Sequence, residues 1–254
     1  MLLGIDIGNT NIKLGLFEGH ELRHHWRITT DRARLADEYA MLLLNLFASE
    51  GLSKADVTGC AISSVVPALA QAFRDLAERH LKTPLLTVGP GIKTGMRIRT
   101  DYPTEVGSDL VTGAIAARHL YGTPVIVVGF GTATTLSAVS ASGDFEGVAI
   151  APGVLTGAEA LFRFAAQLPQ VALVRPPRAI GKNTIHSMQS GLVWGFAALV
   201  DGLVERMRGE LGGSSHVVAT GGLAELIAAE SKAIELVEPE LTLIGLRLIW
   251  ELNR

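Results

Sequence analysis

Asp6-Ile7-Gly8-Asn9-Thr10-Asn11-Ile12-Lys13 follows directly on the apolar run Leu2-Leu3-Gly4-Ile5. The run reads as a buried strand, and the octet as the turn into a second strand. Gly8 allows a tight turn and close approach of the backbone to a ligand. The side chains of Asn9, Thr10 and Asn11, with the local N–H groups, are donors for phosphate oxygens, and Lys13 adds charge. Asp6, at the strand end, suits a hydrated Mg²⁺ between phosphates. A polar β-hairpin with an acidic mouth has the same local pattern. The complete octet at the end of a first strand favours the phosphate loop.

Apolar strands alternate with helical patterns along the rest of the chain, which indicates a mixed or mostly parallel sheet covered by helices. Residues 2–7, 12–18 and 22–28 read as a three-strand meander. Leu35 to Ser49 reads as a helix, with Tyr39, Leu42, Leu43, Leu46 and Phe47 on one face. A strand lies within Val57 to Val66, a helix over 68–81 and a short strand over 85–88. Residues 92–103 lack a period and read as a long functional loop, and 105–120 as a helix. The pattern then restarts. Val125 to Val128 is a strand that runs into Gly129-Phe130-Gly131-Thr132, and strands at 136–139 and 145–150 complete a second meander. Helices are expected at about 155–167, 184–211 and 222–230, with a strand at 216–219 and a final element over 241–252. Residues 1–118 and 119–254 therefore read as two similar α/β domains around a nucleotide cleft, the organisation of actin-like and sugar-kinase-like proteins.

Bulk composition narrows the class. The chain has 254 residues, 48% of them hydrophobic, with 28 glycines and few aromatics, which suits an α/β protein with many tight turns. A net charge of −3 gives no electrostatic footprint for nucleic acid or an anionic membrane. No uninterrupted apolar run reaches the ~18 residues of a bilayer span, and Asp6 interrupts the apolar start where a leader would need it unbroken. Cys60 is the single cysteine, so an intrachain disulfide and a thiolate metal cluster are both excluded. The seven histidines are scattered without ligand spacing. These features describe a cytoplasmic enzyme.

Three further segments carry chemistry. Thr220-Gly221-Gly222-Leu223 follows a strand and opens a helix, as an ordinary tight turn or as a flat backbone against the adenosine end of a nucleotide. Gly107-Ser108-Asp109-Leu110 opens the third helix. There Asp109 is either a dipole-compensating residue or a general base for an attacking hydroxyl. Gly181-Lys182-Asn183-Thr184 precedes the long helix and reads as a cap, Asn183 or Thr184, or as a recognition point for a small substrate's carboxylate or amide.

Together with Gly89-Pro90-Gly91, Glu105, Phe130-Gly131-Thr132-Ala133-Thr134 and Pro152-Gly153, these motifs resemble the bacterial type III pantothenate kinases in unbroken order from the first strand to the last helix. The resemblance implies an actin-like fold, a homodimer, and ATP-dependent phosphorylation of pantothenate, the first step toward coenzyme A. It implies that Asp6 to Lys13, Thr132, Gly221 and Gly222 bind ATP with Mg²⁺. It further implies that Asp109 accepts the proton, and that Gly107 to Leu110 and Thr184 meet the substrate.

Five positions depart from the family pattern. Gly129 stands where the family carries an aspartate that helps hold K⁺ or NH₄⁺, and Leu110 where it carries an arginine that contacts pantothenate. Thr100, Val148 and Phe164 replace a pocket tyrosine, a glycine and an arginine. These departures also fit a nucleotide-binding paralogue that acts through protein partners, or a kinase for another small alcohol.

Overall fold

The computed structural model describes residues 1–254 and contains two five-stranded sheets. The first comprises β1 (Leu2–Ile7), β2 (Asn11–Glu18), β3 (Glu21–Thr29), β4 (Gly59–Ser64) and β5 (Leu85–Thr87), in the order β3-β2-β1-β4-β5. The second comprises β6 (Val125–Phe130), β7 (Ala133–Val139), β8 (Phe145–Pro152), β9 (His216–Gly221) and β10 (Leu236–Val237), in the order β10-β9-β6-β7-β8. In each, the leading strand runs antiparallel to the next and parallel to a strand reached through helices. The internal repeat expected from the sequence is thus a repeat of strand pairing. The fold is actin-like, α/β.

Contacts divide the chain into two units. One holds residues 1–95, 102–116 and 241–254, and the other 96–101 and 117–240. The chain passes between them within helix α3 (Ser108–Tyr121). The last helix, α7 (Leu241–Leu252), belongs with the first unit and not with the second, where a division at 118/119 had put it.

In the first unit, period-2 alternation decides the layers. Leu3, Ile5 and Ile7 of β1 and Ile12, Leu14 and Leu16 of β2 share a core with Tyr39, Leu43 and Phe47 of α1 (Ala36–Ser49) and with Leu69 and Phe73 of α2 (Pro67–Asp75). The opposite face carries Gly4, Gly15 and Gly59, and α7 packs there. An added Cβ would lie 2.8 Å from Leu243 at Gly15 and 2.3 Å from the Trp250 ring at Gly59, so bare backbone is what lets the helix settle on the sheet. After α2 the chain does not continue as the α-helix that 68–81 predicts. Leu76–Leu81 winds as a π turn and ends on Lys82 in the left-handed region, φ 54°.

In the second unit, Ile126, Val128 and Phe130 of β6 pack with Leu192, Val193, Ala197, Val200 and Val204 of α5 (Thr184–Glu210). At 27 residues, with a mean hydropathy of 1.2 over its most apolar 18, α5 is long and apolar enough to cross a membrane by length and composition. Part of that composition, 39% of the same window, is buried in the core shared with β6 and β9. Part of the stretch read as irregular loop belongs here: Ile98 bridges to Phe145 of β8, and Arg99 pairs with Asp144 at 2.9 Å.

Candidate active site

Because successive side chains on a strand alternate, the positions of β1 that do not feed the core face α7, and Asp6 is one of them. It is 8% exposed. Its cross-strand neighbours are Lys13 on β2 and Ser63 on β4. Burial pushes the Asp6 carboxyl up to about 6; the nearby charge of Asp109 adds to this, and Lys13 opposes it. Oδ1 of Asp6 is buried without a hydrogen-bond partner.

The turn after Asp6 closes through the Gly8 N–H, which donates to the Asn11 carbonyl at 3.1 Å. Asn9, Thr10 and Asn11 are exposed. Ile7 and Ile12 point into the core, so only their backbones are offered at the site. The segment after β3 straps the turn in place: the Thr30 N–H donates to the Thr10 carbonyl at 3.0 Å, and the Thr30 hydroxyl to the Gly8 carbonyl at 2.7 Å.

The start of α3 is fixed to the same sheet. The Ser108 hydroxyl lies 2.9 Å from that of Ser63 and accepts from the Ser64 N–H at 3.1 Å. This holds the next residue, Asp109, close enough to Asp6 for their charges to interact. Burial raises the Asp109 carboxyl above its ordinary value, partly offset by the Leu110 N–H, which donates to Oδ1 at 2.9 Å. An added Cβ at Gly107 would lie 2.5 Å from the same oxygen, so glycine there is what allows this rotamer. Leu110 follows, half-buried and uncharged. Helix α3 starts at Ser108 and not at 105, since Pro103–Glu105 forms a separate 3-10 turn.

Asp6, Lys13, Ser108 and Asp109 are therefore assembled by one sheet and one helix start. Sequence reasoning did not single out Ser63. The signal was there: the apolar strand Cys60-Ala61-Ile62 turns polar at the position level with Asp6. Two carboxylates, one with an orphaned buried oxygen, form a hard-oxygen donor set of the kind a divalent cation takes. No cluster of three or more His, Cys, Asp or Glu side chains gathers, so such a cation would draw its remaining ligands from water and phosphate.

The second unit brings another group of the sequence candidates together at the ends of β6 and β9. Gly129 pairs with Thr135 and Thr220, and Phe130 with Gly221. Gly221 has φ +103°, and an added Cβ would lie 2.4 Å from the Phe130 carbonyl, so no other residue fits this turn. Gly222 is exposed in the turn that follows. The Thr132 carbonyl accepts from the Gly153 N–H at 3.1 Å and the Thr156 hydroxyl at 2.8 Å, which ties the β6–β7 turn to the start of α4 (Val154–Phe164). Thr184 is the exposed first residue of α5, and the cap before it is Asn183, whose Oδ1 accepts from the His186 N–H at 2.9 Å.

A family model described as type III pantothenate kinase matches residues 2–206. A type III pantothenate kinase of Roseiflexus castenholzii is 57% identical over 254 residues, covering all of both chains. One of Moorella thermoacetica is 51% identical over 253 residues, again along the full length of each. Among solved structures, the activator of the 2-hydroxyisocaproyl-CoA dehydratase from Clostridium difficile with bound ADPNP aligns with a TM-score of 0.59 at 14% identity, covering 98% of this chain and 94% of that one. An inorganic polyphosphate/ATP-glucomannokinase from an Arthrobacter species aligns with a TM-score of 0.53 at 15% identity, covering 100% and 99%. At those identities the structural likeness speaks to fold alone.

Proposed function

The chain belongs to the type III pantothenate kinase family, and on that footing we propose that it transfers the γ-phosphoryl group of ATP to the 4'-hydroxyl of pantothenate, the first step of coenzyme A biosynthesis. The observation that carries the reading is a pair of neighbouring carboxylates, Asp6 buried on β1 and Asp109 half-buried at the start of α3, where the Ser108–Ser63 contact fixes the helix to the sheet.

Asp109 takes the hydroxyl proton as the oxygen attacks phosphorus, and ADP leaves in line. Its raised proton affinity brings it nearer the working pH than an exposed carboxylate, which improves a general base. The backbone N–H groups of Gly8 to Asn11, with Thr10 and Lys13, hold the phosphate tail. Thr132 supplies a second phosphate contact, and Gly221 and Gly222 lie against the adenosine end. Asp6, with its orphaned buried oxygen, would hold a hydrated Mg²⁺, which would supply charge neutralisation for the phosphates. Gly107, Ser108, Leu110 and Thr184 border the pantothenate. Leu110 offers the substrate's carboxylate no charge, so the affinity for pantothenate is expected to be weak.

No carboxylate stands at position 129, and one could enter only by moving Thr135, whose hydroxyl oxygen would lie 2.7 Å from an added Cβ. The kinase is therefore expected to work without K⁺ or NH₄⁺. A coupled ADP-release assay with pantothenate, run in K⁺, NH₄⁺ and Na⁺ at equal ionic strength, tests both statements. Pantothenate-dependent turnover supports the kinase, and rates within twofold across the three cations support the loss of the site. ATP binding with no turnover favours the nucleotide-binding paralogue. The working protein is proposed to be a cytoplasmic homodimer with small-molecule partners and none among nucleic acids or membranes.

A further inference from the structure

Besides the two backbone-directed bonds from Thr30, the segment between β3 and α1 brings a guanidinium to the phosphate turn. Arg32 Nη2 donates to Oδ1 of Asn9 at 3.0 Å. Both side chains are exposed, and this is the one protein partner of Arg32. An exposed hydrogen bond between two mobile side chains adds little to stability. The backbone around Arg32 is nevertheless held firmly. The buried Tyr39 hydroxyl donates to the Asp31 carbonyl at 2.9 Å and accepts from the Asp31 N–H at 2.9 Å, and Asp31 Oδ1 accepts from the Ala33 N–H at 3.0 Å. Arg34 lies over the Tyr39 ring, 5.5 Å from its centre. A rigid segment thus presents a cation with unused donors beside a turn whose own N–H groups suit an anion.

The bond to Asn9 also decides how the turn is polarised. With Oδ1 of Asn9 taken by Arg32, the amide N–H pair of Asn9 remains to donate outward. One lone pair of the acceptor is engaged, and both amide N–H groups are left to donate. That arrangement is matched to a ligand carrying oxygens and negative charge alone, and it would be wasted on a neutral one.

We propose that Arg32 is a second cation of the nucleotide site, alongside Lys13, and that it binds the β- and γ-phosphates of ATP while orienting Asn9 to do the same. This rests on the ATP-kinase reading and extends it to a residue outside the phosphate turn. A contact with the terminal phosphates discriminates by phosphate number, which a purely structural strap does not.

Calorimetric titration of the full-length protein with Mg-ATP, ADP and AMP tests this in Arg32→Ala, Arg32→Gln and the charge-matched control Arg23→Ala. Arg23 sits at the far end of β3, paired with Glu18 and Glu21. Arg32→Ala and Arg32→Gln are each expected to weaken ATP about tenfold and AMP less than twofold, with unchanged melting temperatures in the absence of ligand. Arg32→Gln keeps a donor for Asn9, so wild-type ATP affinity in that variant would reduce Arg32 to a strap and overturn the proposal. So would equal losses for ATP and AMP. A wild-type protein that binds no ATP would fail at the earlier step and remove the kinase reading as well. ATP binding by the wild type that persists in both Arg32 variants removes this proposal alone.

Discussion

Asp6 is held in surroundings that favour its neutral form, and this has a thermodynamic consequence. Its carboxyl rises from an ordinary 3.8 to about 6 in the folded, metal-free protein, first through burial and then through Asp109. Between these two values the folded chain binds more protons than the unfolded one, so stability falls as pH rises from about 4 to 6, and the full cost is present above 6. Asp6→Asn removes the cost. In Mg²⁺-free urea titrations it is expected to be more stable than wild type at pH 8 by on the order of 2 kcal/mol, net of the lost attraction to Lys13, with the gain gone by pH 4. No gain at pH 8 would mean that the carboxylate is not desolvated. Asp109 differs in kind, because its carboxylate is proposed to take up the proton. Asp109→Asn keeps the shape and removes the proton acceptor. Turnover is expected to drop by about 10²–10⁴, the range for a positioned base, while ATP affinity stays within about twofold. Retained turnover would take the base role from Asp109.

Among the elements, α7 shows what local pattern can and cannot reveal. Leu241 to Leu252 reads as the closing element of the chain, and it folds as an apolar helix. Its Gly245 looks like a simple weakness in that helix. In the fold an added Cβ at Gly245 would lie 2.0 Å from the Thr112 carbonyl of α3, so glycine is what lets the two helices cross at that distance. Gly245→Ala is expected to destabilise the protein by about 3 kcal/mol or more, beyond the usual cost of overpacking, because backbone and not a flexible side chain must move. Chemical denaturation gives the number, and a loss below about 1 kcal/mol would show that α7 and α3 are not in contact there. The β1–β2–β3 meander was legible for the opposite reason, since alternation and the turns are local properties. So was the turn over Gly8 to Asn11, as a turn between two strands. The π turn at Leu76–Leu81 was not, because residues 68–81 keep a helical pattern throughout and i→i+5 bonding leaves no compositional mark. Nor was the join of Arg97 and Arg99 to β8, whose partners Asp144 and Phe145 lie some 45 residues on.

At the scale of the whole molecule, the sequence offered Asp109 as a candidate but not what surrounds it, since Ser63 and Asp6 come near it only through sheet order. The homodimer belongs to this scale too. The long apolar helix α5 is the first element on which to look for the contact. In the fold Met188 and Leu192 are buried there, and Trp194, Phe196 and Leu199 pack against the same core. The exposed positions of its first half, Thr184, Ile185, Ser187, Gly191, Gly195 and Ala198, are small or polar apart from Ile185. Large uncovered apolar side chains gather on α4, where Leu155 is 60% exposed, Phe162 43% and Phe164 88%. Leu155 and Phe162 are seven residues apart and so share a helix face, and exposed aromatic clusters of this kind mark interaction sites more often than free surface. We therefore expect α4, not α5, to carry the subunit contact. Sedimentation velocity at micromolar concentration should give a dimer for the wild type and a monomer for the double variant Leu155→Glu, Phe162→Glu, with the far-UV spectrum unchanged because neither side chain supports the core. A double variant that stays dimeric would return the interface to another face, and a monomeric wild type would remove the dimer altogether.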